Sequence, residues 1–284
     1  VLLPTAEPFD GAAVLAFLAA RAIPGVEEVR GGTYRRTLAL PGGPAILALT
    51  PRAGGVEAAL ALADPADEPE ALRRARALFG LDADPAAVLA GLGADPLLGP
   101  LVRARPGLRV PGAVDGFELA VRAILGQQIS VAAARVLAGR ITAALGAPLA
   151  RADGALTHHF PAPGALAAAE DAAFPMPRSR ARTLRGLAAA APRLETPADA
   201  GPLTGLWGIG PWTAGYVALR LGDPDVFLPG DVAVQRALSA LCTGPVDAGS
   251  WSPWRSFAVL HLWATLANPA GPAPTAAGVR APKG

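Results

Sequence analysis

The chain has 284 residues, 52% of them apolar, with a formal net charge of +2, one cysteine and three histidines. That length exceeds one average domain and suits two or three small ones, each with a sizeable core. A lone Cys242 excludes an internal disulfide, a zinc ribbon and a protein-held iron–sulfur cluster, and His158, His159 and His261 are too few and scattered for a metal cage, so no cofactor and no catalytic metal are expected.

Residues 1–82 read as an α+β domain. Residues 9–22 form an amphipathic helix with Val14, Phe17 and Leu18 on its inner side. Segments 26–30, 33–40 and 45–49 alternate or carry β-branched residues, and Gly31-Gly32 and Pro41-Gly42-Gly43 separate them as turns separate antiparallel strands. Residues 56–62 make a further strand, and a helix over 69–81 carries Arg73, Arg74 and Arg76.

From about residue 83 the pattern turns helical. A short helix spans 86–92, and Pro96, Pro100 and Pro106 punctuate an irregular connection. Asp115 caps a helix over 116–125, with Glu118 three residues on in capping-box spacing. After a polar loop at 126–129, Ser130 caps a long helix that ends near 145–146. A brief helix is expected at 167–173 and a longer one at 180–191. Gly208-Ile209-Gly210 is a tight turn in which at least one residue needs positive φ. Pro211 opens a helix to 221 with Trp212 and Tyr216 on one face. Residues 222–225 break it, Val226-Phe227-Leu228 is a short buried segment, and Pro229-Gly230 makes a second turn before Asp231 opens a helix over 232–241. The last helix covers 252–267. The remainder, 269–284, is Pro/Ala/Gly-rich and reads as a flexible tail.

Gly208-x-Gly210 admits two readings. A dinucleotide fingerprint needs a strand before it and a third glycine after it, and here the preceding residues are not strand-like and the third position is Thr213. A helix-hairpin-helix instead aims its hairpin amides and second-helix N-terminus at a DNA phosphate. A plain helix–turn–helix corner stays open beside it.

Leu206-x-Gly208-x-Gly210-x-x-Thr213-Ala214 followed by Pro229-Gly230-Asp231 resembles the hairpin, Gly/Pro-rich loop and aspartate signature of the helix-hairpin-helix DNA glycosylase superfamily. Within it the chain is similar to the AlkA-type 3-methyladenine DNA glycosylase II family. The likeness extends over Phe17–Ala22, Arg105–Arg109, Val121–Gln127, Asp225–Pro229 and Pro253–Ser256. The fold class implied is α+β: an N-terminal antiparallel sheet domain with flanking helices, then a mostly helical core of two lobes. One lobe joins 83–111 with 229–268; the other, 112–228, carries the hairpin at 206–221.

The resemblance makes Asp231, by itself an ordinary helix N-cap, the catalytic carboxylate, kept ionised by the helix N-terminus. It places Trp212, Tyr216, Trp263 and Phe17 around a base pocket, although aromatics at helical spacing are commonly core. Gly208, Gly210 and Thr213 become DNA contacts, with Gln127 and Gln128 in the loop that fills the gap left by an extruded base; unaided, those glutamines read as a solvated loop. Relatives that also cut the strand carry a lysine where Trp212 stands. The only lysine, Lys283, is in the tail, so hydrolysis without strand cleavage is expected. Arg35-Arg36 and the run Arg178, Arg180, Arg182 and Arg185 read as solvated faces or as phosphate contacts.

The implied activity is excision of alkylated bases from duplex DNA by a monomer. A glycosylase for deaminated or oxidised bases and a non-catalytic DNA-binding scaffold are the rivals. With no signal-peptide pattern and no apolar run of membrane-spanning length, a cytoplasmic, nucleoid-associated protein without a membrane partner is expected. Val1 in place of Met reads as a trimmed chain or a piece of a longer polypeptide.

Overall fold

The computed structural model describes residues 1–267; the expected tail at 269–284, with Lys283, lies outside them. The chain opens with β1 (Leu2–Pro4), α1 (Gly11–Arg21), β2 (Glu27–Arg30), β3 (Thr33–Leu40), β4 (Gly43–Arg52), β5 (Gly55–Leu62) and α2 (Glu68–Phe79). The strands form one sheet in the order β1-β5-β4-β3-β2, with every neighbouring pair antiparallel. Gly31 and Gly32 turn β2 into β3 with φ of 58° and 78°, a geometry that glycine reaches without steric cost. Val14 and Leu18 of α1, and Ala75 and Phe79 of α2, pack on Leu38, Leu47, Leu49 and Val56 of the sheet. This covers the apolar face.

The remainder is mostly helical: α3 (Pro85–Leu92), α4 (Leu98–Ala104), α5 (Gly116–Leu125), α6 (Val131–Leu145), a small hairpin of β6 (Pro148–Asp153) and β7 (Leu156–His158), α7 (Pro163–Ala168), α8 (Arg178–Ala190), α9 (Pro211–Arg220), α10 (Val232–Leu241) and α11 (Arg255–Ala267). Two further cores serve them. One gathers α5, α6, α8, the 206–210 turn and α9; the other gathers α3, α4, α10 and α11. Helix α9 faces both, with Val217 in the first, Leu219 in the second, and Tyr216 against each. No described helix is long and apolar enough to cross a membrane.

Four expectations change. The stretch expected to be irregular contains α4, because Pro100 falls in its first turn, where a missing N–H breaks no helical bond. Asp95 accepts the Leu97 and Leu98 amides and so starts that helix. The brief helix lies at Pro163–Ala168, with only a 3₁₀ turn at Asp171–Ala173. The last helix begins at Arg255 rather than 252. At α5 only half of the capping box exists: Asp115 accepts the Glu118 amide at 2.7 Å. The Glu118 carboxylate is buried and reaches Arg36 and Arg122 instead. Arg36 is thus neither a solvated nor a phosphate-facing cation.

Candidate active site

The turn before α9 is set by its two glycines in different ways. Gly208 has φ of 82°, which an L side chain adopts only at a cost. A Cβ there would also run into Thr183 of α8. Gly210 is in an extended conformation as the N-cap of α9, and a Cβ on it would meet open space. The Gln127 amide locks the turn from below, donating to Gly208 O at 3.1 Å and to Thr213 Oγ1 at 3.0 Å. Thr213 is buried. In the free protein Gln127 and Thr213 therefore fasten the turn from within, whereas Gln128 is exposed with φ of 60°.

The second turn delivers Asp231 to the mouth of α10. The residue is 9% exposed. Its Oδ1 accepts the Val234 amide at 2.9 Å, the capping bond expected at this position. Oδ1 also accepts the Trp263 indole N–H at 3.0 Å, and Oδ2 accepts the Trp212 indole N–H at 3.0 Å. Three donors from α9, α10 and α11 thus fix both carboxylate oxygens. Such an arrangement holds the negative charge in place and limits its reorientation.

Around it opens a recess of about 1090 Å³, and Asp231, Trp212, Tyr216, Trp263, Gln127 and Gln128 are among its lining residues. Trp212 stacks on Tyr216 with centroids 5.5 Å apart, and Trp263 lies 6.3 Å from Tyr216. Phe17 is not part of the lining. It sits behind it, with the Arg21 guanidinium 3.6 Å and that of Arg220 4.9 Å from its ring centroid. Arg21 and Arg220 themselves reach the recess, beside Tyr216. So the structure brings nine of the ten site residues named above into the lining, Gly208, Gly210 and Thr213 included, and leaves only Phe17 one layer back.

The chain that builds this site is similar to several known proteins. The AlkA N-terminal domain model matches residues 1–115. DNA-3-methyladenine glycosylase 2 of Escherichia coli K12 is 37% identical over 282 residues, which cover 91% of this chain and 94% of that protein. The chain belongs to the DNA-3-methyladenine glycosylase 2 family. A probable bifunctional transcriptional activator/DNA repair enzyme AlkA of Mycobacterium tuberculosis is 44% identical over 94% of this chain. The chain spans only 57% of that protein's length. In fold, a 3-methyladenine DNA glycosylase from Archaeoglobus fulgidus superposes with a TM-score of 0.80 at 21% identity, covering 93% of this chain and 97% of that one. An 8-oxoguanine glycosylase/lyase from Clostridium acetobutylicum, in complex with double-stranded DNA, gives 0.63 at 17% identity, covering 87% and 99%.

Three sets of contacts were not legible in the sequence. Trp207, at the edge of the hairpin, is 51% exposed with the Arg182 guanidinium 4.5 Å over its ring. Arg180 donates to the Gln127 carbonyl, and Arg185 pairs with Asp171. Arg21 and Arg220 at the recess floor lie about 200 residues apart and carry no local signal. The two hairpin glycines make a matched test. Gly208→Ala should cost about 1–3 kcal/mol of stability from strain and overlap with Thr183. Gly210→Ala should cost under about 1 kcal/mol; if the hairpin amides meet a phosphate, as the resemblance implies, its methyl group should instead weaken affinity for duplex DNA. Thermal unfolding and a DNA titration separate the two effects.

Proposed function

We propose that the chain is a monofunctional DNA glycosylase that hydrolyses the N-glycosidic bond of alkylated bases, of the 3-methyladenine and 7-methylguanine type, in duplex DNA. The observation that carries this reading is the buried Asp231 carboxylate, held by two indoles at the edge of an aromatic-lined recess with ample room for a base.

The chemistry follows from those parts. The hairpin amides at Gly208 and Gly210, with the N-terminus of α9, suit a phosphate. Gln128, exposed and left-handed in its backbone, suits the space that an extruded nucleotide leaves. In the recess the C1′–N bond breaks with its electron pair going to the base, so a cationic alkylated base leaves neutral. The positive charge that grows on the sugar is stabilised by Asp231, water adds to C1′, and a proton is released. Electron-rich faces of Trp212, Tyr216 and Trp263 favour a cationic base by about 0.5–2 kcal/mol each. A normal, uncharged base is a poorer leaving group, which leaves it in place without a dedicated filter. No lysine lies among the described residues, which supports hydrolysis over Schiff-base strand cleavage.

On the same reading the protein acts as a cytoplasmic monomer. Its three cores then correspond to a sheet domain at 1–82 and helical lobes at 112–228 and at 83–111 with 229–268. The test is incubation with duplexes that each carry one modified base, followed by mass detection of the freed base. Release of N-alkylated purines without strand cleavage, and without a borohydride-trapped adduct, is expected. Release of nothing from any lesion would leave only a DNA-binding scaffold, and an efficient trapped adduct would refute the monofunctional mechanism.

A further inference from the structure

The floor of the recess holds a polar group whose hydrogen-bonding capacity is only partly used. Tyr216 Oη accepts an N–H from Arg220 at 2.8 Å. Arg220 is fixed in turn by the carbonyls of Pro111 and Gly112. A guanidinium donates and cannot accept, so the phenolic hydrogen must point elsewhere, and no acceptor takes it among the described residues. Arg21, beside the same hydroxyl, is also a donor and cannot take it either. Burial by itself would raise the Tyr216 pKa, but the charges of Arg220 and Arg21 outweigh it and hold the phenol below its usual value. A more acidic hydroxyl is a stronger donor.

The recess therefore has a polarity along its length. At the Asp231 end are acceptors, whose own donors, the two indoles, are already engaged. At the other end are donors only: the Tyr216 hydroxyl and the guanidiniums of Arg21 and Arg220. Neither arginine has a carboxylate partner among the described residues, whereas Arg122 beside them is paired with Glu27 and Glu118. A purine whose sugar carbon lies at Asp231 turns its opposite edge, with the substituent at position 6, toward that floor.

We propose that the Tyr216 hydroxyl is a specificity-determining donor to this edge, so that the recess favours a 6-oxopurine over its 6-amino counterpart. The proposal rests on the glycosylase reading and assigns it a substrate preference. An oxo group accepts the Tyr216 hydrogen and gains electron density as the glycosidic pair moves into the base, so the bond strengthens during cleavage. An amino group, as in 3-methyladenine, would set donor against donor and forgo this gain, so its release would rest on stacking, its own positive charge and Asp231 alone. Repulsion of a cationic base by Arg21 and Arg220 is greatest before cleavage and fades as the base becomes neutral, which favours departure.

The test compares single-turnover release of 7-methylguanine and 7-methyladenine from otherwise identical duplexes, corrected for spontaneous depurination. The two lesions share the methyl group and the positive charge and present oxo or amino at position 6. The wild type should favour 7-methylguanine, and Tyr216→Phe should lower the ratio of the two rates about three- to tenfold, the size of one net hydrogen bond. Should the Phe variant fold poorly by thermal unfolding, Arg21→Met reads the same ratio and should move it in the same direction. Release of both bases with a ratio unchanged by substitution overturns the proposal alone. Release of neither by the wild type overturns the glycosylase reading and this proposal with it.

Discussion

Asp231→Asn should lower base release by at least about 10²–10³-fold, the range seen when a fixed electrostatic contact to a developing charge is removed. The geometry shows why so small a change has two consequences. Asparagine can keep its oxygen on the Val234 amide and the Trp263 indole. Its NH₂ then faces the Trp212 indole N–H, now 3.0 Å from Asp231 Oδ2, and two donors oppose each other. The chemical loss should therefore come with a stability loss of about 1–3 kcal/mol. Adding Trp212→Phe to Asp231→Asn removes the opposing donor, so stability should return in part while release stays low. Affinity for undamaged duplex should not fall, because neutralising a carboxylate near phosphates removes repulsion. Single-turnover release, chemical denaturation and DNA titration of the wild type and both variants check each part. Wild-type rates from Asp231→Asn would remove the carboxylate from the mechanism.

Arg36→Met should cost about 3–5 kcal/mol of stability, the usual result of removing one partner from a buried charge cluster. Arg36 is 3% exposed. It donates to Glu118 Oε2 at 2.6 Å and to Glu27 Oε1 at 3.4 Å. Arg122 bridges the same pair, at 2.9 Å from Glu27 Oε2 and 2.7 Å from Glu118 Oε1, and Tyr34 donates to Glu27. Two guanidiniums balance two carboxylates; without Arg36 one guanidinium must serve both. The effect has a pH signature. Burial would raise the Glu27 pKa, but Arg122 and Arg36 together lower it from 4.5 to about 2. A depressed carboxylate stabilises the fold above the unfolded value, and that contribution is lost as pH falls from about 4.5 toward 2. The variant has little of it to lose, so its denaturation curve should approach that of the wild type at acid pH. Urea unfolding between pH 7 and pH 3 tests this, and a gap that stays constant would discount the cluster. Base release should suffer as well, since Arg122 also donates to the Arg21 carbonyl at 2.7 Å and so holds the end of α1 against the recess.

Local chemistry was readable without coordinates where one short segment contains both partners of an interaction. Asp231, Asp115 and Ser130 each cap a helix through an amide three residues on, and the sequence alone places those bonds. Gly208 takes the positive φ that its turn demands, and Gly31-Gly32 marks a strand reversal. Period-two alternation located four of the five strands of the sheet. Strand β1 escaped because three residues carry no period, and it is a strand only by pairing with β5. The β6–β7 hairpin escaped because β6 is almost wholly exposed and shows no apolar alternation.

Partner choice across the chain was not readable, because a side chain's type does not say what the fold sets beside it. Glu118 stands where a capping box would use it, yet Arg36, 82 positions earlier, claims it. The two indole N–H groups that fix Asp231 come from helices 19 and 32 residues away. Arg21 and Arg220 meet at Tyr216 only because the fold brings side chains from the ends of α1 and α9 to one place. Residue order therefore determined the elements, their caps and the kind of chemistry that Asp231 can perform. Tertiary packing alone decided how that carboxylate is held and which charges face it across the recess, because Coulomb and hydrogen-bond energies depend on distance in space and not along the chain.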